Sequence, residues 1–184
     1  MAQNLQLSKR VRNSISQLNS NMKKIIVILF LLCLVTGCSS KEISSVDAKQ
    51  KYLSYIGVLE EQNIFSNGSE YFDVSCELSK IDKGYRYFIT IDKPRISMYD
   101  ILTIAIEDGV DYTQTMAACS GIFDTKYNMV PNQVKTDDGY AKGIVISGIS
   151  DKPSTTVKLY VEYKNSDGSK TFSDFIELPV QVNE

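Results

Sequence analysis

The chain has 184 residues, a formal net charge of −2, and neither histidine nor tryptophan. Without histidine it lacks the usual general base at neutral pH and the commonest transition-metal ligand. This excludes serine, cysteine and zinc chemistry that depends on imidazole, and leaves carboxylate or lysine chemistry open.

Residues 22–37 have the order of parts that a bacterial export signal requires. Two lysines come first, and the next eleven residues, 25–35, are all apolar. In a helix this run spans about 17 Å, whereas a membrane span needs about 20 apolar residues, so we interpret it as a signal h-region. Residues 1–21 exceed an ordinary n-region. We expect Met22 to be the true start, with an unusually long basic n-region as the alternative.

The end of this signal, Leu34-Val35-Thr36-Gly37-Cys38, has an aliphatic residue and two small residues before a cysteine. It resembles the lipobox of bacterial lipoproteins. The resemblance implies a diacylglyceryl group on the Cys38 sulfur and cleavage between Gly37 and Cys38 by a lipoprotein signal peptidase. It also implies a protein held by lipid at the membrane, on the extracytoplasmic side. An ordinary secretory signal, or a buried helix with a chance cysteine, is the alternative interpretation.

Cleavage before Cys38 leaves 147 residues and a net charge of −7, because the removed part carries five positive residues and no acid. That length suits one domain plus a tether, which we assign to residues 38–45. An acidic domain is a poor candidate for binding nucleic acid or for spreading on anionic lipid. We therefore expect the attached lipid, and not charge, to hold the protein at the membrane.

Two cysteines, Cys76 and Cys119, belong to the mature domain. In an oxidising compartment they could form a disulfide that closes a loop of about 43 residues and contributes ~4 kcal/mol on the chain-entropy model. The alternative is two free thiols that pack as small hydrophobic groups. No Cys-x-x-Cys pattern indicates redox catalysis.

Residues 46–64 follow a helical period. Ala48, Tyr52, Tyr55 and Leu59 are separated by four, three and four residues, which predicts that they share one face of a helix. We expect this helix to pack on the domain or to act as a spacer next to the membrane.

From residue 70 the apolar period becomes two, which is typical of half-buried strands. Such segments, separated by turn residues, predict about seven strands over residues 70–184. Residues 98–107 are nearly all apolar and predict a strand buried on both faces, residues 112–123 are ambiguous, and residues 124–139 read as a long loop. The expected fold is all-β, an antiparallel immunoglobulin-like β-sandwich by resemblance of pattern only, with an eight-stranded barrel as the alternative.

Acidic residues beside glycines form candidate calcium sites. Asp108 and Asp111 follow the third predicted strand, and Asp137 and Asp138 lie in the long loop. Calcium requires several oxygen ligands at one point, but the same composition is typical of β-turns. The calcium site and the β-turn both stay open as interpretations. Glycan hydrolysis would need two carboxyl groups in one cleft, and the sequence does not indicate which acidic residues could form such a pair.

Tyr127, Met129 and Pro131 lie among polar residues in the long loop, which we predict to be an exposed contact used for recognition. The expected function is that of a non-catalytic, lipid-anchored β-sandwich that binds another protein or an envelope polymer. The alternatives are a carboxylate-dependent glycan hydrolase and a structural accessory subunit of an envelope complex. The sequence indicates no cofactor and no particular partner.

Overall fold

The computed structural model describes residues 45–133 and 139–182. Within these ranges one helix precedes eight strands, and each pairing between two of these strands is antiparallel. The elements are α1 (Ser45–Glu61), β1 (Asp73–Lys80), β2 (Tyr85–Asp92), β3 (Met98–Glu107), β4 (Ala118–Ser120), β5 (Tyr127–Met129), β6 (Gly143–Ser150), β7 (Ser154–Lys164) and β8 (Thr171–Gln181).

The strands form two sheets. The smaller sheet has the order β1-β2-β6, and the larger has the order β4-β3-β7-β8 with β5 also paired to β3. The hairpins β1–β2 and β7–β8 join neighbours in the chain. Gly84 turns the first of them with a φ of +91°, in the Asp-Lys-Gly segment that is typical of such turns.

The two sheets share one hydrophobic core. Every second residue of β2 and β7 enters it, as expected for strands with one face on a core. These residues are Tyr87, Ile89 and Ile91 in β2 and Val157, Leu159, Val161 and Tyr163 in β7. Each fully buried aliphatic side chain contributes about 1.5–3 kcal/mol to folding. The alternating pattern of the sequence therefore corresponds to the main source of stability.

Helix α1 covers the other face of the larger sheet. Tyr52, Ile56 and Leu59 pack there against Leu102 and Ile104 of β3, in a second buried cluster. Strand β3 thus has one face on the core between the sheets and the other under the helix. This double burial explains why its sequence is nearly apolar throughout.

The helix ends at Glu61, before the predicted limit of residue 64. Two side chains bond to the backbone at this point: Asn63 Nδ2 donates to the Glu61 carbonyl at 3.1 Å, and Gln62 Oε1 accepts from Asn63 N at 3.0 Å. Such local bonds compete with the next helical turn. In the part of the chain that the structure describes, no helix is long and apolar enough to cross a membrane.

The region between β3 and β6 differs most from the sequence prediction. The ambiguous segment 112–123 contains only the three-residue strand β4, and the predicted loop 124–139 contains β5. Both pair with β3. Strands of three residues are too short for a period of two to identify them. The eight-stranded barrel is wrong, because the described strands divide into two sheets.

Candidate functional site

A groove of about 620 Å³ opens at one end of the smaller sheet. Asp73, Asp92 and Gly143 stand opposite one another there, at the start of β1, the end of β2 and the start of β6. The chain segments that leave these positions therefore lie close together, beside the segment that follows β5. We call this feature the basic groove. It is lined by Asp73, Lys93, Pro94, Arg95, Val130, Pro131, Asn132, Gln133 and Lys142.

Strand β5 fixes one wall of the basic groove to β3. Met129 stands opposite Met98, and both side chains are fully buried. Asn128 adds two bonds: its Oδ1 accepts from Asp100 N at 2.9 Å, and its carbonyl accepts from Ala141 N at 2.8 Å. The wall of the groove that follows β5 therefore begins next to Asn128, which is hydrogen-bonded both to β3 and to the segment before β6.

Three cations and one carboxylate line the basic groove. Lys93 Nζ lies 3.2 Å from Asp73 Oδ2, and the Arg95 guanidinium contacts Asp73 Oδ1. Hydrogen bonds from these two cations lower the pKa of Asp73 below its ordinary value. Lys142 is exposed and makes no salt bridge with any described residue. The described lining therefore has an excess of positive charge within an acidic domain.

Two described segments of the basic groove, residues 93–94 and 131–132, have restricted backbones. Pro94 follows Lys93, and Pro131 precedes Asn132; each proline has a fixed φ. Lys93 has a φ of +45° and Asn132 a φ of +55°, in the left-handed region that residues other than glycine seldom occupy. Such conformations persist where the surrounding structure holds them, and they gather at binding sites. The backbone is therefore restricted at residues 93–94 and 131–132 of the groove.

The three residues of the predicted recognition loop lie in different environments. Pro131 lines the basic groove. Met129 is fully buried in the core, so the prediction of an exposed contact is wrong for it, because pairing with β3 turns its side chain inward. Tyr127 is 42% exposed and lines a second cleft, of about 530 Å³, between β4 and β6.

The two acidic residues after β3 contact other groups of the chain. Asp108 Oδ1 lies 2.8 Å from Lys158 Nζ, and Asp111 Oδ1 accepts from Thr113 N and Oγ1 at 2.9 and 2.6 Å. The Asp111 contacts are those of a turn. Among the residues that the structure describes, no group of three or more metal-binding side chains comes together. The described contacts of Asp108 and Asp111 are thus those of an ion pair and a turn, and a calcium site there stays a prediction from sequence.

Several predicted site residues lie outside the described ranges. They are Gly37 and Cys38 of the lipobox-like segment and Asp137 and Asp138 of the long loop. The roles suggested for them stay predictions from sequence.

Cys76 and Cys119 are free thiols, so the disulfide alternative is not formed in the structure. Cys76 packs against the core between the sheets, whereas Cys119 packs against the cluster under α1. Burial raises the pKa of each thiol to about 11. Since the thiolate is the reactive form, both act at neutral pH as small hydrophobic groups.

The lining of the basic groove is suited to binding charge. Glycoside hydrolysis uses two carboxyl groups, one of which must be protonated. Asp73 is the one carboxylate among the described residues that line the groove, and its two cationic partners keep it ionised. The cations among these described residues can make electrostatic contacts with an anion and donate hydrogen bonds to it.

In the sequence, the segment Lys93-Pro94-Arg95 indicates only a break between two strands. The pattern that points to the groove is the pair of cations on either side of Pro94, directly after the end of β2. The neighbouring strand β1 begins with the acid Asp73. The sheet register, which the sequence does not reveal, is needed to bring Lys142 and Pro131 to the same place. No family model matches the chain, and no curated protein matches it either.

Proposed function

We propose that the chain is a membrane-anchored extracytoplasmic lipoprotein whose non-catalytic β-sandwich binds another protein or an envelope polymer. The lipobox-like segment ending at Cys38 supports the anchor. The basic groove is the observation that carries the binding role. It is concave, charged and restricted in shape, and it lies on loops at the end of a β scaffold, where recognition sites commonly form.

The finer fold in this proposal is immunoglobulin-like. In immunoglobulin lettering, β1, β2, β3 and β4 take the letters A, B, C and C′, while β6, β7 and β8 take E, F and G and β5 has no letter. With these letters, the sheets β1-β2-β6 and β4-β3-β7-β8 have the orders A-B-E and C′-C-F-G. The loops at the ends of such sandwiches carry recognition in many domains. The position of the basic groove agrees with this use of the fold.

A short tether would keep the domain near the membrane. Fully extended, the chain from Cys38 to Ser45 reaches at most about 25 Å. The partner of the basic groove in this proposal is therefore present close to the lipid surface. A soluble partner far from the membrane would fit the proposal poorly.

Labelling of cells with a palmitate analogue tests the anchor. We expect the full-length chain to take up the label and to pellet with membranes, and Cys38→Ser to lose both properties. Cys33→Ser is the matched control, because it changes a cysteine of the h-region and should keep the label. An unlabelled wild-type chain, or a labelled Cys38→Ser chain, would contradict the lipoprotein assignment.

Chemical cross-linking in cells tests the binding role. The lipidated chain should capture one stoichiometric partner, and Cys38→Ser should capture less of it. Capture of nothing above background by the wild-type chain would contradict the proposal that the domain is a binding module.

A further inference from the structure

We propose that the basic groove binds a polyanion, an envelope polymer with phosphate or carboxylate groups at regular intervals. This inference rests on the proposed function, because it names the class of partner that the same groove takes. The charge of the lining, the arrangement of its cations and its restricted shape support it.

The charge of the described groove lining is opposite in sign to the net charge of the mature chain. The mature chain carries −7, which repels a free anion at long range. Among the described residues that line the groove, Lys93, Arg95 and Lys142 outnumber Asp73, so this lining carries net positive charge. An isolated anion contacts few of these groups. A polymer with repeated charges contacts several at once, and its linked contacts offset the repulsion.

Asp73 positions two of the cations. Their side chains are otherwise largely exposed, 74% for Lys93 and 52% for Arg95, and Asp73 holds one at each of its oxygens. An ammonium has three N–H donors and a guanidinium five, so each keeps donors for an anion while it contacts Asp73. Side chains that are already held lose less freedom on binding.

The walls of the groove suit a short stretch of polymer. Pro94, Val130 and Pro131 supply apolar surface, on which the uncharged part of a repeating unit can pack. The volume of about 620 Å³ falls within the range of about 300–1,000 Å³ that is usual for ligand sites. Because the backbone is restricted at residues 93–94 and 131–132, these segments lose little freedom on binding.

Polyphosphate and polygalacturonate are the probes that test the inference, with neutral dextran as the control polymer. We expect the full-length lipidated protein, in detergent micelles, to bind at least one polyanion and not dextran. Binding should weaken as salt rises, because the contacts are ionic. The polymer that binds identifies the anionic group as phosphate or carboxylate.

Charge-removing variants locate the site. Lys93→Gln/Arg95→Gln should lower the affinity about tenfold or more, since two charge-assisted contacts are lost. Lys80→Gln/Lys83→Gln removes the same charge at the opposite end of the smaller sheet and should change the affinity by less than about twofold in physiological salt. Thermal melts establish that each variant is folded. Lys142→Gln, which breaks no described salt bridge, serves if the groove double variant melts early.

Three results would overturn the inference: equal losses in the groove and control variants, binding that salt does not weaken, or no binding to either polyanion. The last result leaves the proposed function standing if cross-linking still captures a protein partner. Failure of both experiments would remove the binding role itself.

Discussion

Replacing Gly148 with alanine would put a methyl group where the ring of Tyr87 already lies. The two residues stand opposite one another in β6 and β2. The new Cβ would be 2.2 Å from Tyr87 Oη and 2.3 Å from Cζ, far inside van der Waals contact. Tyr87 is only 1% exposed, so the ring has no free path to solvent.

The size of the effect follows from these contacts. Overpacking a core costs about 1–3 kcal/mol. Because the ring of Tyr87 is almost fully buried, displacing it places the cost at the upper end of this range or just above it. We therefore expect Gly148→Ala to lower the free energy of unfolding by about 2–4 kcal/mol. In urea, with a slope of about 2 kcal/mol/M, the midpoint should fall by about 1–2 M.

Gly57→Ala is the matched control. Its new Cβ would meet nothing within 4 Å, and the residue lies inside helix α1, so this change should stabilise the fold by about 0.5–1 kcal/mol. In a Tyr87→Leu background Gly148→Ala should cost less than in the wild-type chain, because the ring is gone. A Gly148→Ala midpoint equal to that of the wild type would refute the packing described for β2 and β6.

Three further predictions concern titratable groups. Burial and a nearby carboxylate raise the pKa of Tyr55 to about 12 from an unfolded value of 10.0, so its contribution to stability is complete below about pH 10 and is lost as the pH rises through about 12. In Tyr55→Phe the urea midpoint should therefore fall less steeply with pH between about 10 and 12 than in the wild-type chain. An equal fall in both chains would contradict the raised pKa of Tyr55. Cys76 and Cys119 should react slowly with a thiol reagent at pH 7 and faster as the pH rises, whereas rapid reaction in the folded state would contradict their burial. Lys152→Met should destabilise the chain by about 1–3 kcal/mol, because it leaves the nearly buried Glu107 carboxylate without its ion-pair partner. The same change at an exposed lysine without a partner should cost less than about 0.5 kcal/mol, and equal effects of the two would contradict this account.

The long elements could be predicted because their patterns are strong. The alternation from Val157 to Tyr163 identifies a strand with one buried face, and the apolar run Met98–Glu107 identifies one buried on both. The apolar run alone does not show which element buries the second face of this strand. The helix residues that cover β3, such as Leu59, lie about 40 residues earlier in the chain, and only the folded contacts join them.

The candidate site was harder to predict because it depends on register. A single methionine in a polar loop looked exposed, but pairing of Met129 with Met98 buries it. Lys93, Arg95 and Lys142 are far apart in sequence and come together only because β1, β2 and β6 align at one end. No local pattern carries that information.

A photo-cross-linking residue at Asn132, on the exposed rim of the basic groove, tests the central claim most directly. The variant would be made in the full-length lipidated chain, with the same group at Lys83 on the far hairpin as the control. The account predicts a cross-linked partner from position 132 that is weak or missing from position 83, and that disappears in Lys93→Gln/Arg95→Gln. Cross-linking from position 83 but not from position 132 would contradict the assignment of the basic groove as the binding site.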